Sequence, residues 1–490
     1  MLQFLGFVGF GLWPLAAVSL VPLWLALERP GTGASAAARL GLVFGLVACA
    51  GGYTWLWQLV DVFLGGNVVL GAALWLAHAL WFALRFALQA AAWSVLRRRG
   101  APPALAGVAP LVALEWLYPA LFPYAMGTAL AERAALVQIA DLGGPLLLTA
   151  LAALLNVAAF EGVRAWRARR RPAAGALALA GFALLASLGY GALRIRQLER
   201  TLADAPPLRV GLVQANLAVL EKRREASRVH RDYLEETRAL LAGGELDLVV
   251  WPETVWTRGI QGPFPVSGEI VRQDLRVPLL FGAATVQVEA GRSERYNSAL
   301  LIGADGVIHG AYDKNLLIPL AERLPLGPLL GPLGRFLPHA QSFRAAREVP
   351  PLSLGPWRIS TPICYEAVSP AFVRRMVRTA RPHLLVSLAN DGWFGDSQEP
   401  GIHLALARLR AVEHRRYLVR ATNSGISAVV DPTGRVVVRT GLLTREHARA
   451  TVRMLDGRSF YERWGDWPGA LAALLAVLPF ARRTRRQAGG

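Results

Sequence analysis

The sequence predicts a chain in two parts: a polytopic α-helical membrane bundle and a globular α/β domain. Three observations carry this. Of 490 residues, 54% are hydrophobic, and these crowd into the N-terminal part and one stretch near the C-terminus. Arginine clusters fall in alternate gaps between the apolar runs. Between Pro206 and Gly457 the composition turns mixed, over about 250 residues, enough for a sizeable core.

A membrane span needs about 20 mostly apolar residues. Met1–Leu27 is uncharged until Glu28 but broken by Pro14 and Pro22, so it reads as one long span or a tight pair. It has no basic leader segment, which argues against a cleaved signal peptide. Leu40–Val60 follows, then Val62–Leu84, which runs on through Arg85 to Leu96. Ala101–Tyr118 carries one acid, Glu115, and Leu142–Phe160 and Pro172–Leu193 complete the N-terminal region. Residues 1–195 thus hold about seven spans, and a last short one, Trp467–Ala481, lies within the C-terminal segment 465–490.

Positive loops stay in the cytoplasm. The clusters are Arg97–Arg99, Arg164–Arg171 and Arg482–Arg486, and an even number of crossings separates each from the next. All three fall on one side, which puts the middle domain, residues 206–457, on the extracytoplasmic side. The expected arrangement is a membrane crossed several times, with the domain on its extracytoplasmic side. The net charge of +19 is absorbed largely by these loop clusters, so nucleic-acid binding is not expected. A transporter would carry more ionisable groups within its spans than Glu115, Arg85 and His78.

In the middle domain, Leu208–Asn216, Leu246–Trp251, Val277–Ala284, Trp357–Cys364 and His383–Ala389 read as strands. Lys222–Leu241 and Gly401–Leu418 read as helices, and Ser369-Pro370 as a helix start. Two hairpins are expected, around Gly303–Gly306 and Asp431–Gly434. Strands alternating with helices predict a layered α/β domain.

Three residues stand where strands end, the usual place for ligands in α/β sheets: Glu253, Lys314 and Cys364. Singly, each reads as easily as structure: a loop acid, a surface lysine, a core thiol. Together they supply a base, a cation and a nucleophile, the set needed for covalent acyl transfer. The other cysteine, Cys49, sits in an apolar run and reads as core packing. No His/Cys cluster suggests a metal, and no cofactor is expected.

The motifs Trp251-Pro-Glu253, Tyr312-Asp-Lys314 and Ile363-Cys364-Tyr-Glu366 resemble those of the nitrilase superfamily over roughly Leu208–Asp456. With the flanking spans, the whole chain is similar to the apolipoprotein N-acyltransferase family. The run Lys314-Asn-Leu-Leu-Ile-Pro319-Leu-Ala-Glu322 carries that likeness, as do Asn390-Asp-Gly-Trp393-Phe394-Gly395 and Arg410–Glu413 through Arg420–Gly425. Two positions depart from the pattern. Leu320-Ala321 stand where the family often has Phe-Gly, and Lys222-Arg223 where it often has a tryptophan.

The resemblance implies an αββα sandwich and a Glu253–Lys314–Cys364 triad. Tyr365, Glu322 and Glu366 are supporting residues, and Asn390, Trp393, Leu316, Leu317 and Leu320 are candidates for contacting substrate. It also implies a bacterial inner membrane, crossed several times with the domain in the periplasm, and the reaction. Cys364 takes an acyl chain from a phospholipid, and the amine of a diacylglyceryl-cysteine lipoprotein then takes it from the thioester. Glu253 would accept the thiol proton, and Lys314 would lower the thiol pKa and support the oxyanion. The apolar, Pro- and Gly-broken stretch Leu316–Phe343 reads as a membrane-facing lid for acyl chains. The alternative is a membrane-anchored amidase of the same triad with water as acceptor.

Overall fold

The computed structural model describes residues 1–60, 65–217, 225–262, 264, 267–289, 291–319, 321–323 and 343–487. They divide into two compact units. One comprises Met1–Thr54, Ala72–Arg196 and Arg463–Gly490; the other comprises Trp55–Gly71 and Gln197–Glu462.

The first unit is helical. Among the described residues four helices are long and apolar enough to cross a membrane: Ala34–Gly52, Val68–Arg98, Ala140–Arg167 and Ala174–Asp204. Pro103–Leu117 and Trp467–Phe480 are shorter apolar helical segments. The N-terminal stretch is broken into Leu2–Leu5, Trp13–Ala17 and Val21–Leu27. Pro14 and Pro22 each fall in the first turn of a segment, where a missing N–H costs nothing. Breaks within apolar surroundings leave backbone groups to be satisfied. Asn156 does this, accepting from Leu20 N at 2.8 Å and donating to Ala16 O at 2.7 Å. Helices Ala34–Gly52 and Val68–Arg98 touch backbone to backbone. A Cβ at Gly41 would lie 2.3 Å from Phe86 O, and one at Gly45 2.6 Å from Ala83 Cα. Trp24 stacks on Trp93 at 4.7 Å with Phe160 edge-on to both. Cys49 is fully buried in this unit, as its apolar neighbours imply.

The second unit is a two-sheet sandwich. Its strands in chain order are β1 (Pro207–Gln214), β2 (Leu248–Val250), β3 (Trp256–Gln261), β4 (Leu279–Glu289), β5 (Arg292–Ile302) and β6 (Ile308–Asp313). There follow β7 (Leu352–Leu354), β8 (Trp357–Ser360), β9 (Leu384–Ala389), β10 (Tyr417–Thr422), β11 (Ala428–Val430), β12 (Val436–Arg439) and β13 (Glu446–Arg453). One sheet runs β13-β1-β2-β4-β5-β6, with β3 also beside β4; the other runs β12-β11-β10-β9-β8-β7. In each, a central parallel trio, β1-β2-β4 or β8-β9-β10, is flanked by antiparallel strands.

Period-2 alternation assigns each residue to a layer. Leu248 and Val250 face the other sheet, as do Leu384, Val386 and Leu388, forming the shared core. Val249 and Trp251 face outward onto helix Ala226–Ala242 through Tyr233 and Leu240. Leu385 and Leu418 face helices Pro370–Ala380 and Glu399–His414 through Val373, Val377 and Ala407. The layers are therefore α, β, β, α.

Two of the boundaries that differ from expectation bear on the site. Helix Gly401–Leu418 is in fact Glu399–His414, because Arg415 takes a left-handed conformation and the chain re-enters the sheet at Tyr417. The strand expected to reach Cys364 stops at Ser360, and Cys364 opens a short 3-10 turn.

Candidate active site

Glu253, Lys314 and Cys364 all lie just past the carboxyl ends of strands β2, β6 and β8. β2 stops at Val250 because the chain turns sharply, with Thr254 at φ +48°. Gly282 of β4 makes room for this turn. A Cβ there would lie 2.5 Å from Thr254 N and 2.6 Å from Glu253 Cα. Gly282 N donates to Pro252 O, and Val255 N to Gly282 O, which pins the turn to the strand.

Lys314 follows β6 directly and is held by its neighbour strand, its N–H donating to Asn297 O at 2.8 Å. Its ammonium, 1% exposed, donates to Glu322 Oε1 at 2.8 Å and Glu253 Oε1 at 3.1 Å. Asn297 Nδ2 bridges the same two oxygens, at 2.8 Å to Glu253 and 3.0 Å to Glu322. Glu322 also accepts from Ile318 N at 2.9 Å, which closes the loop carrying it. An ammonium buried this deeply needs such company, since a lone buried charge is costly. Burial works against the Lys314 charge, but Glu253 and Glu322 outweigh it and hold the group protonated.

Cys364 is 4% exposed and adopts φ +50°, a strained conformation for a residue with a Cβ, costing about 1–3 kcal/mol. Ile363 bridges Leu388 of β9, so Cys364 and Asn390 end adjacent parallel paths. Glu366 ties this turn to the lysine loop. One oxygen accepts from Asn315 N at 2.6 Å and Leu316 N at 3.0 Å. The other accepts from Ile363 N at 2.8 Å and the Tyr312 hydroxyl at 2.7 Å. Burial nevertheless pushes the Glu366 carboxyl up to about 7.

Lys314 acts on the thiol pKa in the lowering direction but does not decide the net shift. Burial and the Glu253 carboxylate push Cys364 well above the ordinary thiol value, and Lys314 offsets this only in part. The resting thiol is protonated and would need a base to act as a nucleophile.

Tyr365, half-buried, has its phenol pushed up to about 12 by burial. Asn390 is buried and Trp393 half-buried, on the loop after β9. In the same loop Phe394 meets Trp55 edge-on at 5.3 Å. Leu316 packs partly against the inter-sheet core, and Leu317 is half-buried. Leu320, most of the proposed lid (residues 324–342) and Lys222-Arg223 lie outside the described residues. Two residues escaped the sequence reading. Asn297 is a polar residue just before the apolar run of β5, a position easily read as strand edge. His403 lies on helix Glu399–His414, where it looks like one polar residue of a helical pattern.

The family described as "Carbon-nitrogen hydrolase" matches residues 209–460, and the "Apolipoprotein N-acyltransferase N-terminal domain" matches residues 1–158. The chain is 34% identical to an apolipoprotein N-acyltransferase of Azotobacter vinelandii, over 98% of this chain and 93% of that one. It is 32% identical to an apolipoprotein N-acyltransferase of Geobacter metallireducens, over 98% and 94%. Among solved structures, a carbon-nitrogen hydrolase from Helicobacter pylori is 17% identical, covering 50% of this chain and 89% of its own, with a TM-score of 0.37.

Proposed function

The chain belongs to the apolipoprotein N-acyltransferase family, and from that premise we propose that Glu253, Lys314 and Cys364 carry out acyl transfer in two steps. It is a membrane protein, an acyltransferase of lipoprotein maturation with a nitrilase-like domain. In the first step Cys364 attacks the ester carbonyl of a phospholipid. Glu253 takes the thiol proton as the C–S bond forms and returns it to the departing lysophospholipid oxygen. In the second step the α-amine of a diacylglyceryl-cysteine lipoprotein attacks the thioester. Glu253 takes the amine proton, the amide forms, and the proton returns to the thiolate of Cys364. Lys314 stabilises the oxyanion of both tetrahedral intermediates. The exchange is ping-pong, and the domain works on the periplasmic face of the inner membrane.

The observation that carries this reading is the sharing of the Lys314 ammonium between Glu322 and Glu253. Two carboxylates flank the one ammonium, so Glu322 remains beside Lys314 when Glu253 takes up the thiol proton. The thiol, held protonated, gives that base its substrate. The full-length match to acyltransferases favours an amine acceptor over the water of the amidase reading. The test uses the purified protein in phospholipid vesicles with a diacylglyceryl-cysteine peptide. Acyl transfer and stoichiometric lysophospholipid are expected with the free amine and not with an N-acetylated peptide. Steady release of free fatty acid with either peptide would favour the amidase.

A further inference from the structure

Behind the nucleophile turn lies a buried polar cluster that neither transfer step uses. His403, 3% exposed on helix Glu399–His414, places Nε2 3.2 Å from the carbonyl oxygen of Cys364. Its Nδ1 lies 3.0 Å from Asp391 Oδ1. Asp391 Oδ2 in turn accepts from Arg420 Nη2 of β10 at 2.6 Å, and Arg420 is fully buried. The backbone of Gly425 closes the other side, where a Cβ would lie 2.2 Å from Asp391 Oδ2. Burial alone would raise the Asp391 carboxyl, but Arg420 and His403 hold it at about 2. Asp391 is therefore a fixed anion, clamped between a guanidinium and an imidazole.

Asp391, Glu399 and His403 could be read as metal ligands, since their ligand atoms lie within 4.8 Å of one another. Arg420, however, donates to one Asp391 oxygen and His403 Nδ1 lies 3.0 Å from the other, so both oxygens of Asp391 are engaged within the protein. The cluster has the form of a bracket whose far end is the nucleophile. Cys364 needs one, because a residue with a Cβ holds a left-handed conformation only where its surroundings enforce it. Both ring nitrogens face acceptors, the Cys364 carbonyl and the Asp391 carboxylate, so both contacts are hydrogen bonds only when the ring carries two protons; burial and Arg420 lower its pKa, and Asp391 opposes them.

We propose that His403 is a positioning residue for the nucleophile: its Nε2–H fixes the Cys364 carbonyl and so holds the turn that presents the thiol to Glu253 and Lys314. Asp391, set by Arg420, orients the ring. This inference rests on Cys364 being the nucleophile, and it adds a support that reaches the thiol through the main chain.

The two amide substitutions separate the two ring nitrogens. His403→Gln keeps a donor near the Nε2 position and can still reach the carbonyl. His403→Asn keeps a donor near Nδ1, can still meet Asp391 and cannot reach Cys364. Full-length variants in phospholipid vesicles are followed by single-turnover acylation, by alkylation of Cys364 with iodoacetamide, and by KM for phospholipid. A misplacement of about 1 Å at a reacting group can cost about 10²-fold. His403→Asn is accordingly expected to lose about 10²-fold in acylation and to slow alkylation, with KM unchanged, while His403→Gln stays within about threefold of the parent. Equal behaviour of the two variants, in either direction, would overturn the proposal and leave His403 as packing. If His403→Asn does not accumulate, His403→Gln decides alone: retention supports the proposal and a loss of more than about tenfold overturns it. A Cys364→Ala control that still acylates would instead remove the nucleophile reading beneath it.

Discussion

Lys314 sits closer to Glu322 than to Glu253, 2.8 Å against 3.1 Å, although Glu253 is the residue that the strand-end pattern singles out first. Two carboxylates share the one ammonium. Glu322→Gln removes the nearer counter-charge and leaves Lys314 to draw on Glu253 alone, which weakens Glu253 as a base. Acylation is expected to fall by about 10²-fold or more. Losing one partner of a buried charge also destabilises, by about 3–5 kcal/mol. Single-turnover acylation beside a thermal melt measures both. An unchanged rate would mean that Glu322 only closes its loop.

Asn297 joins the same two carboxylates through one amide nitrogen. Asn297→Asp would put a third carboxylate beside them and turn a donor into an acceptor. That variant is expected to acylate far more slowly than Asn297→Ala, which merely removes the bridge. Rates for the pair, measured at matched expression, check this. Equal rates would show that the bridge carries no electrostatic weight.

Lys314→Arg preserves charge and changes shape. The planar, larger guanidinium does not fit a pocket built around a point ammonium that is 1% exposed. Acylation of Cys364 is expected to stay at background, and near-normal acylation would contradict the role given to the ammonium.

Glu366 gives a pH dependence of known sign. Its ordinary value is 4.5, and burial moves it to about 7 in the fold. Folding therefore takes up a proton between those values, and this group's contribution to stability falls as pH rises from 4.5 to about 7. Activity runs the other way. Four donors converge on the two oxygens, and a proton there displaces one of them. Acylation is expected to drop as pH falls through about 7, with Glu366→Gln slower throughout and lacking that limb. A limb that persists unchanged in Glu366→Gln would assign it to another group.

Much of this site was legible before the structure. Glu253, Lys314 and Cys364 each follow a β-rich run, and β2 and β9 lie within Leu246–Trp251 and His383–Ala389, both legible as strands. What stayed hidden depends on contacts between distant segments. Asn297 gains its meaning from two carboxylates brought to it by other loops, and His403 from a backbone carbonyl 39 residues away. The raised thiol pKa could not be read either, because burial, a three-dimensional quantity, outweighs the lysine. The helix ending at His414 looked longer because Arg415 takes a left-handed turn without a glycine to announce it.

The central claim is that Cys364 carries the acyl group. Intact-mass analysis of the protein after incubation with phospholipid alone, without acceptor peptide, tests it most directly. One acyl adduct is expected on the parent protein and on Cys49→Ser, removed by hydroxylamine or by adding the diacylated peptide. None is expected on Cys364→Ser, because Glu253 deprotonates an alcohol poorly. An adduct of the same stoichiometry on a well-folded Cys364→Ser, or its loss in Cys49→Ser alone, would contradict the assignment of the nucleophile.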